Sequence, residues 1–347
     1  MKKTYRNILV VRTDRIGDVI LTTPAIKALK ESFPAARVTV LVSPLTQDLV
    51  RGNPFVDEVM VDDRSGVHKG LMGYRRLVRA VKERRFDLAV IFHTKRRTNL
   101  LCFLAGIPQR LGYRDKKFGF LLTAPVADER FKGTKHEAQY CLDLLRCIGI
   151  NNSALGMVLP FEPAAEQWAE GFFREHYLDP DRKVIAVNAG ASDATKQWPP
   201  HRFAELITGM VEKYACPIVL IGTANDKSAV QKILALVKTP VCDLTGQTSV
   251  AQLASLLKRC RLLVSNDSGP VHVAAAAGTP VVSIFTRNQP GINPERWKPL
   301  GPSHRVVFPP LDNSVSFASG KVAKADYLEN IGTEEVLEAV DGIFKVC

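Results

Sequence analysis

The residues Ile8-Leu9-Val10-Val11-Arg12-Thr13-Asp14-Arg15-Ile16-Gly17-Asp18-Val19 hold the pattern on which the fold turns. Four consecutive apolar residues end in a charged turn. A helix-length segment follows, with Ile20, Ala25, Ile26 and Leu29 among its apolar positions. An unbroken apolar run, rather than an alternating one, is what a strand covered on both faces requires, and such strands lie parallel with helices on either side. The unit recurs along the chain. Strands are expected near Ile8–Arg12, Val38–Val42, Glu58–Val61, Leu88–Phe92 and Arg110–Tyr113, then near Val184–Asn188, Ile218–Gly222, Val241–Leu244, Leu262–Ser265, Val281–Phe285 and Val306–Phe308. Two series of this kind predict an α/β fold with two Rossmann-like sheets.

Between the series, residues 151–181 break the alternation with Phe161-Glu162-Pro163, a helix-like run and Asp179-Pro180-Asp181. They read as a linker, dividing the chain into 1–165 and 166–347. Near the end, Thr333-Glu334-Glu335 looks like a helix start, with Val336, Leu337, Val340, Ile343 and Phe344 on one face up to about residue 346. The polar, small residues Asp312 to Lys324 are expected to form a surface loop.

A chain of 347 residues has room for two domains, each with its own core. With 46% hydrophobic and 24% charged residues it is neither disordered nor collagen-like. The longest weakly polar run, Val271 to Phe285, is interrupted by Gly278 and Pro280 and falls short of the ~20 residues of a membrane helix. Met1-Lys2-Lys3 is followed by an apolar run that stops at Arg12, which reads as a strand rather than a signal peptide, so a cytoplasmic protein is expected. The seven cysteines contain no C-x-x-C pair and read as reduced residues without a zinc site.

The net charge of +12 is unevenly placed. Residues 1–150 carry 28 Lys+Arg against 15 Asp+Glu, and residues 151–347 carry 19 against 20. The basic half suits an anionic partner: a nucleic acid, an acidic membrane surface or a phosphorylated substrate. Nucleic acid fits worst, because no aromatic strand, zinc finger or basic stripe interleaved with aromatics is present.

Four turns carry residues fit for chemistry. In the first, Asp18 stands beside Gly17 at a helix start, either as a first-turn acid favoured by the helix dipole or as a general base. The turn lacks the glycines of a dinucleotide fingerprint and the Gly-Lys of a P-loop. In the second, Ser265-Asn266-Asp267-Ser268-Gly269-Pro270-Val271-His272 joins a strand to an Ala-rich helix, whose exposed N–H groups suit a diphosphate. There Asp267 is placed to accept from a ribose and His272 to approach a phosphate; the alternatives are a helix cap and a half-buried helix residue. The third, Asn188 to Pro199, contains Lys196, a mobile cation for phosphate oxygens or a solvated loop lysine. The fourth, Gly222-Thr223-Ala224-Asn225-Asp226, is weak by itself. All four follow strands, so they are expected to converge on one crevice.

Together these residues resemble glycosyltransferase family 9, the bacterial heptosyltransferases. The resemblance runs from Ile8–Arg12 through Gly17-Asp18-Val19 and Thr23-Pro24-Ala25 to Asn266–His272, with His136-Glu137 also fitting. It implies a GT-B fold: two facing Rossmann-like domains, a deep interdomain cleft, and a last helix crossing back toward the first domain. It also implies an inverting, metal-independent transfer of a sugar from a nucleotide donor, ADP-heptose in this family, onto a lipopolysaccharide-type acceptor, with no further cofactor. Asp18 would be the base. Ser192, Lys196 and Asp226 would lie with the donor diphosphate and nucleoside, Asp267 with the ribose, and Ser268, Gly269 and His272 at the leaving nucleotide. Arg12, Arg64, Arg114 and Lys117 would meet an anionic glycolipid acceptor at the inner face of the cytoplasmic membrane. Asp179-Pro180-Asp181 has the form of a metal-binding D-x-D motif but reads as a turn. The alternatives are a nucleotide-sugar epimerase or hydrolase of the same fold, and a non-catalytic nucleotide-binding protein of the membrane surface.

Overall fold

The computed structural model describes residues 4–176, 178, 184–309 and 329–344. The expected turn at Asp179–Asp181, the expected loop Asp312–Lys324, Met1-Lys2-Lys3 and Cys347 lie outside them. The chain divides into two compact units, Met1–Glu162 and Pro163–Cys347.

The first unit is a six-stranded parallel sheet of β1 (Asn7–Val11), β2 (Arg37–Val42), β3 (Glu58–Val61), β4 (Leu88–Ile91), β5 (Gln109–Arg114) and β6 (Ala124–Ala127), in the order β3-β2-β1-β4-β5-β6. Every pairing is parallel. Its helices are α1 (Ile16–Ile20), α2 (Thr23–Ser32), α3 (Gly70–Glu83), α4 (Arg96–Leu104) and α5 (Glu137–Leu145). Leu77 and Val81 of α3, and Leu101 and Cys102 of α4, share one cluster with Leu9, Val11, Ala89 and Ile91, so both helices cover the same sheet face. The sequence reading omits β6. That strand is Ala-Pro-Val-Ala, half exposed and at the sheet edge, where proline is tolerated and no apolar run is needed.

The second unit repeats the plan with β7 (Ile185–Asn188), β8 (Ile218–Ile221), β9 (Cys242–Asp243), β10 (Leu262–Asn266), β11 (Val281–Ile284) and β12 (His304–Val307), in the order β12-β11-β10-β7-β8-β9. The helices are α6 (Pro163–Glu175), α7 (Pro200–Tyr214), α8 (Lys227–Leu236), α9 (Val250–Arg259), α10 (Gly269–Ala277), α11 (Pro294–Trp297) and α12 (Thr333–Phe344). Helix α6 lies inside the expected linker, yet it buries Ala169, Phe172 and Phe173 and ties Glu166 to Lys258 and Arg259 of α9. It is therefore part of the second unit, and residues 151–162, without regular structure, end the first. The buried Val336, Val340 and Ile343 of helix α12 complete the second unit's own core, against α7 and β12.

Counted from its own first strand, each sheet has the order 3-2-1-4-5-6. The order reverses between β1 and β4 in one, and between β7 and β10 in the other. The crevice at such a reversal, at the carboxyl ends of the strands, is where open α/β sheets bind ligands, because the two following loops there diverge to opposite faces.

Candidate functional site

In the first unit, the turns after β1 and β4 meet at this reversal. Arg12 follows β1 directly and is only 2% exposed. Its Nη2 donates to Asp18 Oδ1 and to Glu137 Oε1 (3.1 Å), its Nε lies 3.0 Å from Asp14 Oδ1, and its Nη1 reaches the carbonyl of Phe92 at 3.4 Å. One buried cation thus gathers three carboxylates. Asp18 lies in the first turn of α1, but that helix is capped at Arg15 without a side-chain bond. The Asp18 carboxylate is therefore not a cap. Burial pushes its pKa up, Arg12 pulls it down, and Asp14 and Glu137 push it up again, so the net direction is upward. Burial likewise raises Asp14. Arg12 stays charged, its three carboxylate neighbours overcoming the cost of burial.

His93 closes the site from the β4 side. Its Nδ1 is 3.1 Å from Thr13 Oγ1 and its Nε2 4.0 Å from Asp14 Oδ2. Burial, followed by the charges of Arg12, Lys95 and Arg64, brings its pKa to about 3, so the imidazole is neutral at physiological pH. Arg64 donates to Thr13 Oγ1 (2.8 Å) and to Asp62 Oδ2 (3.0 Å). Arg97 grips Asp62 through two bonds of 2.8 and 2.7 Å. On the far side, Arg130 forks onto Asp128, lies 3.7 Å from Glu137 and stacks over Tyr113.

In the second unit, the loops after β7 and β10 are tied by two asparagines. Asn188, the last residue of β7, donates to Ser265 Oγ (3.0 Å), Ser268 Oγ (2.9 Å) and the Gly190 carbonyl (3.2 Å). Asn266, the last residue of β10, donates to the Ala189 carbonyl (2.8 Å) and accepts from the Trp198 N–H (3.1 Å), so one side chain holds both ends of the 189–198 loop. Trp198 anchors that loop, buried against Phe203 and bonded to the Ile331 carbonyl. Within it, the Lys196 ammonium pairs with Asp267. Ser268, not Asp267, is the cap residue of α10, which leaves Asp267 for Lys196. The α10 N-terminus carries Gly269 and buries His272 one turn in.

The expected site residues thus separate by role. Asp18, Lys196, Asp267, Ser268, Gly269 and His272 line the two reversal points, and Ser192 is exposed on the loop beside Lys196. Asp226 is a local cap, its Oδ2 accepting from the Thr223 N–H and Oγ1. It also lies so close to Gly190 that a Cβ there would come within 2.4 Å of its carboxyl carbon, so the loop needs glycine at that point. Arg12, expected to meet the acceptor, is buried and pairs with Asp14, Asp18 and Glu137. Arg64 borders the site, half exposed. Arg114 and Lys117 are exposed at and beyond the end of β5. Lys117 lies beside Lys95, whose pKa is lowered by burial and then by that neighbour. Asp14, His93, Asn188 and the use of Glu137 escape the sequence reading. For Asp14, His93 and Asn188 the signal is a polar side chain at or just past the end of an apolar strand; Glu137, at the start of α5, carries no such signal. Among the described residues no group of three His, Cys, Asp or Glu is placed to hold a metal ion.

Two Rossmann-like units with polar turns at their strand reversals are the architecture of the GT-B glycosyltransferases, and the whole chain superposes on such enzymes. It matches the crystal structure of the glycosyl transferase family 9 from Veillonella parvula at TM-score 0.90 and 26% identity, covering 100% of this chain and 99% of that one. Against the Escherichia coli ADP-heptose lps heptosyltransferase II the TM-score is 0.78, at 24% identity over 98% of this chain and 99% of that one. In sequence it is 28% identical to lipopolysaccharide heptosyltransferase 2 of Escherichia coli over 310 residues, 86% of this chain and 87% of that protein. The model of glycosyltransferase family 9 (heptosyltransferase) matches residues 74–325, and the chain belongs to this family. It is a glycosyltransferase.

Proposed function

We propose that the protein transfers heptose from ADP-heptose to an anionic, lipopolysaccharide-type acceptor, with inversion at the anomeric carbon and without a metal ion, at the cytoplasmic face of the membrane. The observation that carries this reading is the state of Asp18. It is a buried carboxylate, excluded from capping, with its pKa raised by burial and its orientation held by Arg12. A base needs a free lone pair and a proton affinity above that of a solvated carboxylate, and this environment supplies both.

In the proposed reaction the acceptor hydroxyl oxygen attacks the anomeric carbon while Asp18 takes its proton. The bond from that carbon to the diphosphate oxygen breaks on the opposite side, and ADP leaves. Inversion follows from attack opposite the leaving group. The departing charge falls to Lys196 and to the N-terminal N–H groups of α10, a cation and a helix dipole of the sign required. Asp267 holds Lys196 until the diphosphate competes for it. The basic balance of residues 1–150 favours an anionic acceptor.

The test is transfer from ADP-heptose to a delipidated core acceptor, compared with donor alone. Formation of ADP only when acceptor is present supports the reading. Consumption of donor at the same rate without acceptor points to an epimerase or hydrolase.

A further inference from the structure

We propose that the rim of the first unit at the carboxyl ends of its strands docks on an anionic lipid bilayer, with Leu71, Met72, Phe120 and Phe131 entering the interface. The proposal deepens the reading of a lipid-anchored acceptor and rests on it for its purpose.

Of the large apolar side chains exposed among the described residues, eight belong to the first unit and three to the second. The unit with the excess of cations is thus also the one that leaves apolar groups in water, a pairing that suits a lipid surface better than a soluble partner. Leu71 and Met72 are each 73% exposed, Phe131 68% and Phe120 81%. Leu71 and Met72 follow the carboxyl end of β3 and Phe131 that of β6, the edge of the sheet that carries Asp18. Phe120 follows β5 on the segment that turns back to β6, tied to that edge through Phe118 and Arg96.

Contacts join the segments that carry Leu71, Met72 and Phe120. The Tyr74 hydroxyl of α3 donates to the Arg97 carbonyl (2.8 Å), Arg96 lies over the Phe118 ring at 5.9 Å, and Phe118 meets Phe120 edge-on at 5.7 Å. Helix α3 buries Gly73, Leu77 and Val81, so Leu71 and Met72 are not displaced core residues.

Neither α3 nor α4 has an acid in its first turn; Lys69 caps one, and Lys95, followed by the exposed Arg96, caps the other, whose start a capping box with Thr98 closes. A cation at the positive end of a helix dipole is unfavourable, and a bound anion removes the penalty. Phosphate headgroups supply such anions in an extended layer, each nearby cation adding to the attraction. A second copy of this chain would bring like charges together, which makes it the poorer occupant.

The experiment uses the full chain and sedimentation with vesicles of phosphatidylcholine alone or mixed with phosphatidylglycerol. Binding to the mixed vesicles only, weakened by high salt, is expected. Leu71→Ser/Met72→Ser and Phe120→Ser/Phe131→Ser should each lower partitioning by about tenfold or more. Activity on a delipidated acceptor and the circular dichroism spectrum should be unchanged. The charge variant Arg75→Gln/Arg96→Gln, which removes an exposed cation one turn after Leu71 on α3 and another at the start of α4, should flatten the salt dependence. Equal binding of the serine variants, or a wild-type chain indifferent to phosphatidylglycerol, overturns the proposal. So does a concentration-dependent dimer that the same substitutions dissolve, since the patch then belongs to a second copy. Vesicle binding without heptose transfer would leave this surface standing and remove the functional reading instead.

Discussion

Arg12 and Glu137, 125 residues apart in the chain, are joined by a 3.1 Å hydrogen bond from which solvent is almost excluded, and the same guanidinium nitrogen holds Asp18. The orientation and basicity of the proposed base are therefore set by a carboxylate that arrives from the start of α5. Burying this cation is tolerable because three carboxylates surround it, and each of them is expensive to remove.

Replacement of Asp18 by Asn keeps the shape of the side chain and removes the proton acceptor. Turnover is expected to fall by about 10²–10⁴-fold, the range of a lost general base. Affinity for ADP, measured by calorimetry, should stay within about twofold, because the groups proposed to hold ADP belong to the other unit. Retained transfer would end the assignment.

The pH profile should report the raised pKa of Asp18. The base works unprotonated, so kcat/KM falls as pH drops through that pKa, at a pH above the ordinary carboxylate range. Glu137→Gln removes a charge that raises Asp18, moving the acid limb to lower pH; Arg12→Met removes the charge that lowers it, moving the limb up. A common direction for both variants would refute the arrangement. For stability the sign is reversed from that of a salt-bridged, lowered carboxylate. The raised Asp14 and Asp18 stabilise the fold fully below their unfolded pKa, and that contribution is lost as pH rises through the folded values. Breaking the buried pair through Glu137→Gln should cost about 3 kcal/mol in urea unfolding at neutral pH.

Lys196→Ala deletes the cation paired with Asp267 and leaves that carboxylate facing the proposed diphosphate. ADP affinity should fall about 10–100-fold by calorimetry, as for loss of a charge-assisted bond joined by repulsion. Unchanged affinity would exclude Lys196 from the donor site.

Asn266→Ala frees both ends of the 189–198 loop at once. Two buried hydrogen bonds are lost and the Ala189 carbonyl and Trp198 N–H are left without them, so about 2–3 kcal/mol of stability should go, read by thermal unfolding. ADP binding should weaken as well, since the loop carries Lys196. A variant with wild-type stability and affinity would show that the loop is held by other means.

The apolar runs made eleven of the twelve described strands legible in the sequence, because burial on both faces leaves a local signature. The edge strand Ala124–Ala127 has no such face and leaves none. The four turns were legible for the same reason, each following a run that ends abruptly in polar residues. For Asp226 the position after a strand was legible, while the bonds by which its carboxylate closes the turn at Thr223 were not.

The residue order by itself determined two parallel sheets, their polar turns and the uneven charge, all of which depend on neighbours within a few positions. Only the tertiary structure decided that Arg12 serves Asp18, that Glu137 supports Arg12, and that Asn188 and Asn266 tie the loops after β7 and β10. The physical reason is that these contacts follow strand adjacency, β1 beside β4 and β7 beside β10, which brings together side chains that no local periodicity connects.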